Sequence, residues 1–98
     1  PNQKYKAFAA KYRKAKNSTP PPSSYAVQSY DAAYVLAVAI RKAGSTDPAK
    51  LRDALESVRN YPGAAGPVTF TPKQHEAVTP KDVILARYSY AKNTWIPL

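Results

Sequence analysis

The sequence predicts an α/β chain in which three helices are followed by a small set of strands. Three observations lead to this prediction. Apolar residues recur at helical spacing over the first sixty positions, Pro and Gly then punctuate positions 62 to 72, and β-branched and aromatic residues are frequent in the last third. A chain of 98 residues is long enough for one small domain and too short for two.

An amphipathic helix is predicted over residues 1–16. Its apolar residues follow i, i+3, i+4, i+7 spacing, which places them on one stripe: Tyr5, Phe8, Ala9 and Tyr12. A Pro-rich connector, residues 17–24, comes next. Its triple proline, positions 20 to 22, favours a stiff, extended linker over a ligand for an aromatic groove.

A helical pair is predicted over residues 24–60. The first member runs from Ser24 to Ala43 and is apolar on most of its circumference, so it requires protein on several sides. Its apolar run is still far shorter than the roughly 20 residues that cross a bilayer. The second member begins at Asp47-Pro48, a capping residue followed by a proline suited to the first helical turn.

Closing strands are predicted over residues 61–98, at Val68–Phe70, Val83–Tyr90 and Thr94–Ile96. So few short strands cannot cover the apolar helix that precedes them. We therefore expect additional protein to pack against it.

The net charge of +9 is local, because six of the fifteen basic residues and none of the six acids fall in the first sixteen positions. A solvated helix face is the leading interpretation, with a phosphate-binding face or an interface as alternatives. A small basic nucleic-acid-binding module is the alternative function, provided that Tyr5, Phe8 and Tyr12 are exposed for stacking.

No catalytic or cofactor motif is present, so the sequence predicts neither an enzyme nor a bound cofactor. It lacks a Walker loop, a Gly-x-Gly-x-x-Gly turn and a Gly-x-Ser-x-Gly elbow. Cys is absent and His75 stands alone in a polar turn, which predicts no metal site. Asp31, amid apolar residues, is expected to be a buried structural carboxylate bonded to backbone or hinge groups.

Several stretches together resemble a known family. They are Ser24–Ala33, Ala43–Pro48 with Leu51–Leu55, Tyr61–Pro72, and Val83–Arg87 with Asn93–Pro97. In order and spacing they are similar to the C-terminal part of the type I periplasmic-binding-protein superfamily. That group holds the leucine/isoleucine/valine-, amide- and urea-binding proteins of ABC transporters. The triple proline departs from it, since many relatives carry a Tyr-Gly turn and a single proline there.

The resemblance implies one part of a two-lobed fold, with the Ser24–Ala43 helix in the first lobe and the closing strands crossing the hinge. It implies capture of a small polar solute, such as an amino acid, an amide or a related carboxylate, for an ABC permease in the periplasm or another extracytoplasmic space. The expected partners are that ligand, the permease and the remainder of the same protein, and no nucleic acid. Tyr25, at a helix start, is the candidate ligand-binding residue, with core packing as its alternative role.

Overall fold

The computed structural model of the chain describes residues 2–17, 23–77 and 79–98. Three α-helices come first, followed by a two-stranded hairpin, a 3-10 turn and a second two-stranded hairpin. This order confirms the predicted α/β chain with its helices before its strands. The triple proline of the predicted connector lies outside the described residues.

Helix α1 spans Gln3–Lys16, as predicted. Asn2 caps it, with its side-chain Oδ1 accepting a hydrogen bond from the backbone N–H of Tyr5 at 2.7 Å. The helix ends at Asn17, whose φ of 44° places it in the left-handed region. Phe8 and Ala9 are buried, so the apolar stripe faces the rest of the chain.

Helix α2 spans Ser24–Ala43, again as predicted. The hydroxyl of Ser23 accepts a hydrogen bond from Ala26 N–H at 3.3 Å and caps its start. At its end Gly44 adopts a φ of 61°, which costs glycine little, and donates its N–H to Ile40 at 2.9 Å.

Helix α3 spans Pro48–Leu55 and is shorter than its apolar periodicity predicted. Asp47 caps it by accepting from Lys50 N–H at 3.1 Å. The helical pair predicted to reach residue 60 is therefore too long. The chain tightens after Leu55, where Val58 N–H bonds the carbonyl of Leu55 at 3.0 Å. Val58 is nevertheless buried, and its carbonyl accepts a hydrogen bond from Phe70 N–H at 3.0 Å. Apolar periodicity cannot predict this bond, because the two residues are distant in the sequence.

The first hairpin pairs β1, Tyr61–Pro62, with β2, Pro67–Val68, in antiparallel register. The strand predicted at Val68–Phe70 instead spans Pro67–Val68, because the regular ladder is interrupted at Asn60, whose φ of 49° lies in the left-handed region. Thr69 then bonds Asn60 through its hydroxyl, which accepts the backbone N–H at 2.8 Å.

The second hairpin pairs β3, Ala86–Ser89, with β4, Thr94–Pro97. The prediction for β4 is confirmed, whereas the strand predicted from Val83 is too long. Residues 80 to 82 form a 3-10 turn instead. Just before β3, the carbonyl of Leu85 accepts a hydrogen bond from Leu98 N–H at 2.9 Å, which extends the ladder by one step. Val83 and Ile84 are exposed.

The core consists of two small clusters along α2. Buried residues of the first are Phe8, Val27 and Ala64, and those of the second are Val35, Val58 and Val68. Leu36 and Tyr34 remain 42% and 46% exposed, so the chain covers only part of α2, as its all-round apolar character predicted. Within the described residues, no helix is both long and apolar enough to span a membrane.

Candidate functional site

Tyr25 lies in the first turn of α2 and projects into solvent. Its side chain is 79% exposed, and it belongs to neither apolar cluster. Tyr25 thus does not pack into either cluster of the described residues, and its two predicted roles, ligand contact and core packing, stay predictions. An exposed aromatic ring at the start of a long helix is instead available to a ligand or to further protein.

The N-terminus of α2 keeps hydrogen-bonding capacity beside this ring. Ser23 uses its hydroxyl for Ala26 N–H and its carbonyl for Val27 N–H, both at 3.3 Å. The N–H groups of Ser24 and Tyr25 precede the first intrahelical bond and have no helical partner. A helix N-terminus favours negative charge, so this end of α2 suits a carboxylate.

Asp31 fixes the position of α2. It is 5% exposed, and its two carboxylate oxygens accept the backbone N–H groups of Ala64 and Ala65, each at 2.7 Å. The predicted structural role for this carboxylate, bonded to backbone, is confirmed. Since both oxygens are used, Asp31 acts as an anchor between α2 and the turn that joins β1 to β2.

Gly63 closes the turn that Asp31 holds, and Asn2 connects this turn to α1. Gly63 donates its N–H to the carbonyls of Tyr61 at 2.9 Å and Gly66 at 3.1 Å, which closes the turn. The side-chain Nδ2 of Asn2 donates to the carbonyls of Gly63 at 3.2 Å and Ala64 at 3.4 Å. Asn2 thus caps α1 and fastens it to the turn that Asp31 holds.

Sequence reasoning missed the roles of Asn2 and Gly63. The Pro-Gly and Gly-Pro pairs at positions 62–63 and 66–67 did mark a turn. Nothing local in the sequence indicates that this turn meets Asp31, because Ala64 and Asp31 are 33 positions apart.

An apolar groove of about 690 Å³ runs along the same side of α2. Its walls come from α2, the end of α3, the first hairpin, and Glu76, Ala77 and Asp82. The apolar side chains among them include Val35, Leu36, Leu55, Val68 and Phe70. Asp82 stands among the few acidic lining residues. Hydrogen bonds from the hydroxyl and N–H of Thr79 lower the pKa of Asp82, since they stabilise its ionised form.

The aromatic stripe of α1 is turned inward. Phe8 is 5% exposed, with its ring centroid 4.8 Å from that of Tyr30, and Tyr5 and Tyr12 are half-buried around it. Stacking of nucleic-acid bases requires exposed ring faces. The condition set for the alternative function, a nucleic-acid-binding module, is therefore not met.

His75, the lone histidine, is exposed. Its Nε2 lies 3.1 Å from Oε1 of Glu56, which links the loop after the first hairpin to the end of α3. Among the described residues, no group of three His, Cys, Asp or Glu side chains is arranged to hold a metal ion.

These features are joined by a match to a known family. The family model described as periplasmic binding protein matches residues 1–92. The chain belongs to the periplasmic binding protein family. Three helices followed by small strands are consistent with one part of that fold.

Membership in the periplasmic binding protein family supports a solute-binding role, and proteins of this family are in general extracytoplasmic. Proteins of this family are in general not enzymes. No curated protein and no solved structure matches the chain.

Proposed function

We propose that this periplasmic binding protein captures a small polar solute for an ABC importer, and that the chain supplies the C-terminal part of its two-lobed fold. The solute is an amino acid, an amide or a related carboxylate. The observation that carries the proposal is the exposed ring of Tyr25 in the first turn of α2.

The first turn of α2 offers chemistry suited to such a solute. The Ser24 and Tyr25 N–H groups provide donors for a carboxylate or an amide carbonyl. The ring of Tyr25 adds an apolar wall with one hydroxyl. Asp31 and the Ser23 cap hold the helix in place, so these groups are preorganised before a ligand arrives.

The apolar groove supports the second part of the proposal. Apolar side chains such as Leu36 and Phe70 line an open surface that a folded protein normally covers. We assign this surface to contact with the remainder of the same two-lobed protein. Ligand binding between the lobes then shifts an open–closed equilibrium, and the permease recognises the closed form.

The experiment measures ligand affinity in the full-length protein by isothermal titration calorimetry. A panel of amino acids, amides and urea is titrated into the native protein, Tyr25→Ala and Tyr25→Phe. We expect Tyr25→Ala to weaken binding about ten-fold or more, in line with the loss of an aromatic contact in a desolvated site. Tyr25→Phe keeps the ring and should lose less.

Tyr90→Ala is the matched control, because Tyr90 is also an exposed tyrosine, at 90%, but lies in the turn of the second hairpin. Its affinity should equal that of the native protein. If Tyr25→Ala binds the solute as tightly as the native protein does, Tyr25 is not part of the binding site. If the native protein binds no solute of the panel, the proposed solute class is wrong. The 98-residue chain alone should bind none of these solutes, because it supplies one wall of the cleft.

A further inference from the structure

The positive charge of the protein is concentrated on α1. Six basic residues and no acid occur between positions 2 and 17: Lys4, Lys6, Lys11, Arg13, Lys14 and Lys16. Each of the six is exposed. They account for most of the net charge of +9, since the other nine basic residues are opposed by all six acids.

These cations are not neutralised within the described part of the chain. The two ion pairs found there lie elsewhere, between Arg52 and Asp53 at 2.8 Å and between His75 and Glu56 at 3.1 Å. The Nζ atom of Lys4 lies 5.2 Å from the centre of the Tyr61 ring. Such a contact leaves the positive charge in place.

The fold holds α1 with this charge outward. Phe8 is buried against α2, and Asn2 ties the start of the helix to the first hairpin, so the helix cannot rotate its apolar stripe toward a partner. From Lys4 to Lys16 the cations extend over about 18 Å of helix, at about 1.5 Å per residue. The exposed residues between them are small or polar, with no large apolar side chain.

We propose that α1 is a docking surface for an anionic phospholipid membrane. Protein interfaces usually contain an apolar or aromatic core, which the exposed face of α1 lacks. An extended array of lipid phosphates requires only clustered cations. The choice of lipid over nucleic acid rests on the proposed function, which places the protein outside the cytoplasm beside a membrane-embedded permease.

The experiment is co-sedimentation of the full-length protein with vesicles. One set contains equimolar phosphatidylcholine and phosphatidylglycerol, and the other contains phosphatidylcholine alone. We expect binding to the anionic vesicles only. Binding should disappear near 1 M ionic strength, where the Debye length falls to about 3 Å.

A triple variant, Lys6→Gln, Lys11→Gln and Lys14→Gln, tests the surface itself. Each basic residue near an anionic surface contributes a factor of about five in affinity, so the triple variant should lose on the order of a hundred-fold. The matched control carries Lys50→Gln, Lys73→Gln and Lys92→Gln, three exposed lysines outside α1, and has the same net charge. It should lose far less, and circular dichroism checks that both variants keep their helices.

Three outcomes would overturn the proposal. If the two triple variants lose the same affinity for anionic vesicles, binding depends on the net charge of the protein and not on a surface of α1. Failure to bind anionic vesicles at low salt would exclude lipid docking. Tighter binding to a DNA duplex than to vesicles, lost in the α1 variant, would assign the surface to nucleic acid. Calorimetry with the solute panel on the same samples shows separately whether solute capture survives.

Discussion

Gly63 lies so close to Asp31 that a Cβ atom added there would stand 2.6 Å from Oδ2 of the carboxylate. The same atom would come within 2.7 Å of the carbonyl oxygen of Gly66. Real Cβ contacts are not found at such distances, so glycine is required at this position for steric reasons alone. The close approach lets the N–H groups of Ala64 and Ala65 reach the Asp31 carboxylate at 2.7 Å.

Gly63→Ala should destabilise the protein by about 2–3 kcal/mol, the cost of overpacking a well-packed site. The methyl group must displace either the Asp31 carboxylate or the backbone of the turn. Either movement stretches the hydrogen bonds that Asp31 accepts from Ala64 and Ala65, the first of which is buried. Urea unfolding of the full-length protein measures this loss as a lower midpoint.

Gly44→Ala is the matched control for that substitution. A Cβ at Gly44 meets nothing within 4 Å, but the residue sits at a φ of 61°. Its cost is therefore conformational only, about 1 kcal/mol. A Gly63→Ala midpoint equal to that of Gly44→Ala would show that the turn relaxes freely and that the contact with Asp31 is not constraining.

Asp31→Asn should cost about 1–3 kcal/mol, although it changes the side-chain volume little. An asparagine carbonyl can accept one of the two N–H groups, while its NH₂ then faces the other donor and leaves it unsatisfied in a buried position. Asp53→Asn, on an exposed carboxylate that pairs with Arg52, should cost less than about 1 kcal/mol. If the two substitutions lower the free energy of unfolding by similar amounts, Asp31 has no special role in stability.

The helices could be predicted from the sequence because their signals are local. Asn2, Ser23 and Asp47 cap the three helices within a few residues of the apolar stripes they precede. The burial of Asp31 could also be predicted, since it stands amid apolar residues on α2. Its partners could not, because the turn at residues 63–65 becomes adjacent to α2 only through tertiary packing.

The strands were harder to predict because their pairing is not local. β1 was missed since it contains only two residues, one of them Pro62, which faces Pro67 across the ladder. The segment from Val83 has strand composition but acquires a partner only near Leu85. For the candidate site, the position of Tyr25 could be predicted, and its contact with a ligand stays a prediction.

Asp82 should titrate below its ordinary pKa of 3.8 because Thr79 stabilises its ionised form. A carboxyl group whose pKa is lower in the folded than in the unfolded state stabilises the fold at pH values above its unfolded-state pKa. This contribution is lost as the pH falls through the folded-state pKa. The turn at residues 79–82 should thus persist through neutral pH and loosen only below 3.8. The amide resonance of Thr79, which donates to Asp82 at 2.8 Å, reports the titration by NMR.

Thr79→Ala removes the hydroxyl donor at 2.7 Å and should move the Asp82 midpoint upward toward its ordinary value. Asp82→Asn should abolish the pH dependence of the Thr79 resonance in this range. A midpoint at or above 3.8 in the native protein would contradict the effect of these hydrogen bonds on the Asp82 pKa.

Leu36 tests whether the apolar groove is covered in the full-length protein. In this chain Leu36 is 42% exposed and lines the groove, so Leu36→Glu should barely change the stability of the chain alone. If the rest of the two-lobed protein packs there, the same substitution buries a charge and removes apolar contact, at a cost of about 2 kcal/mol or more. Urea unfolding of the full-length variant measures this cost.

Arg41→Glu, on an exposed position of the last turn of α2, is the control and should cost about 1 kcal/mol or less through the helix dipole. A Leu36→Glu cost no larger than that of Arg41→Glu would mean that the groove stays open to water.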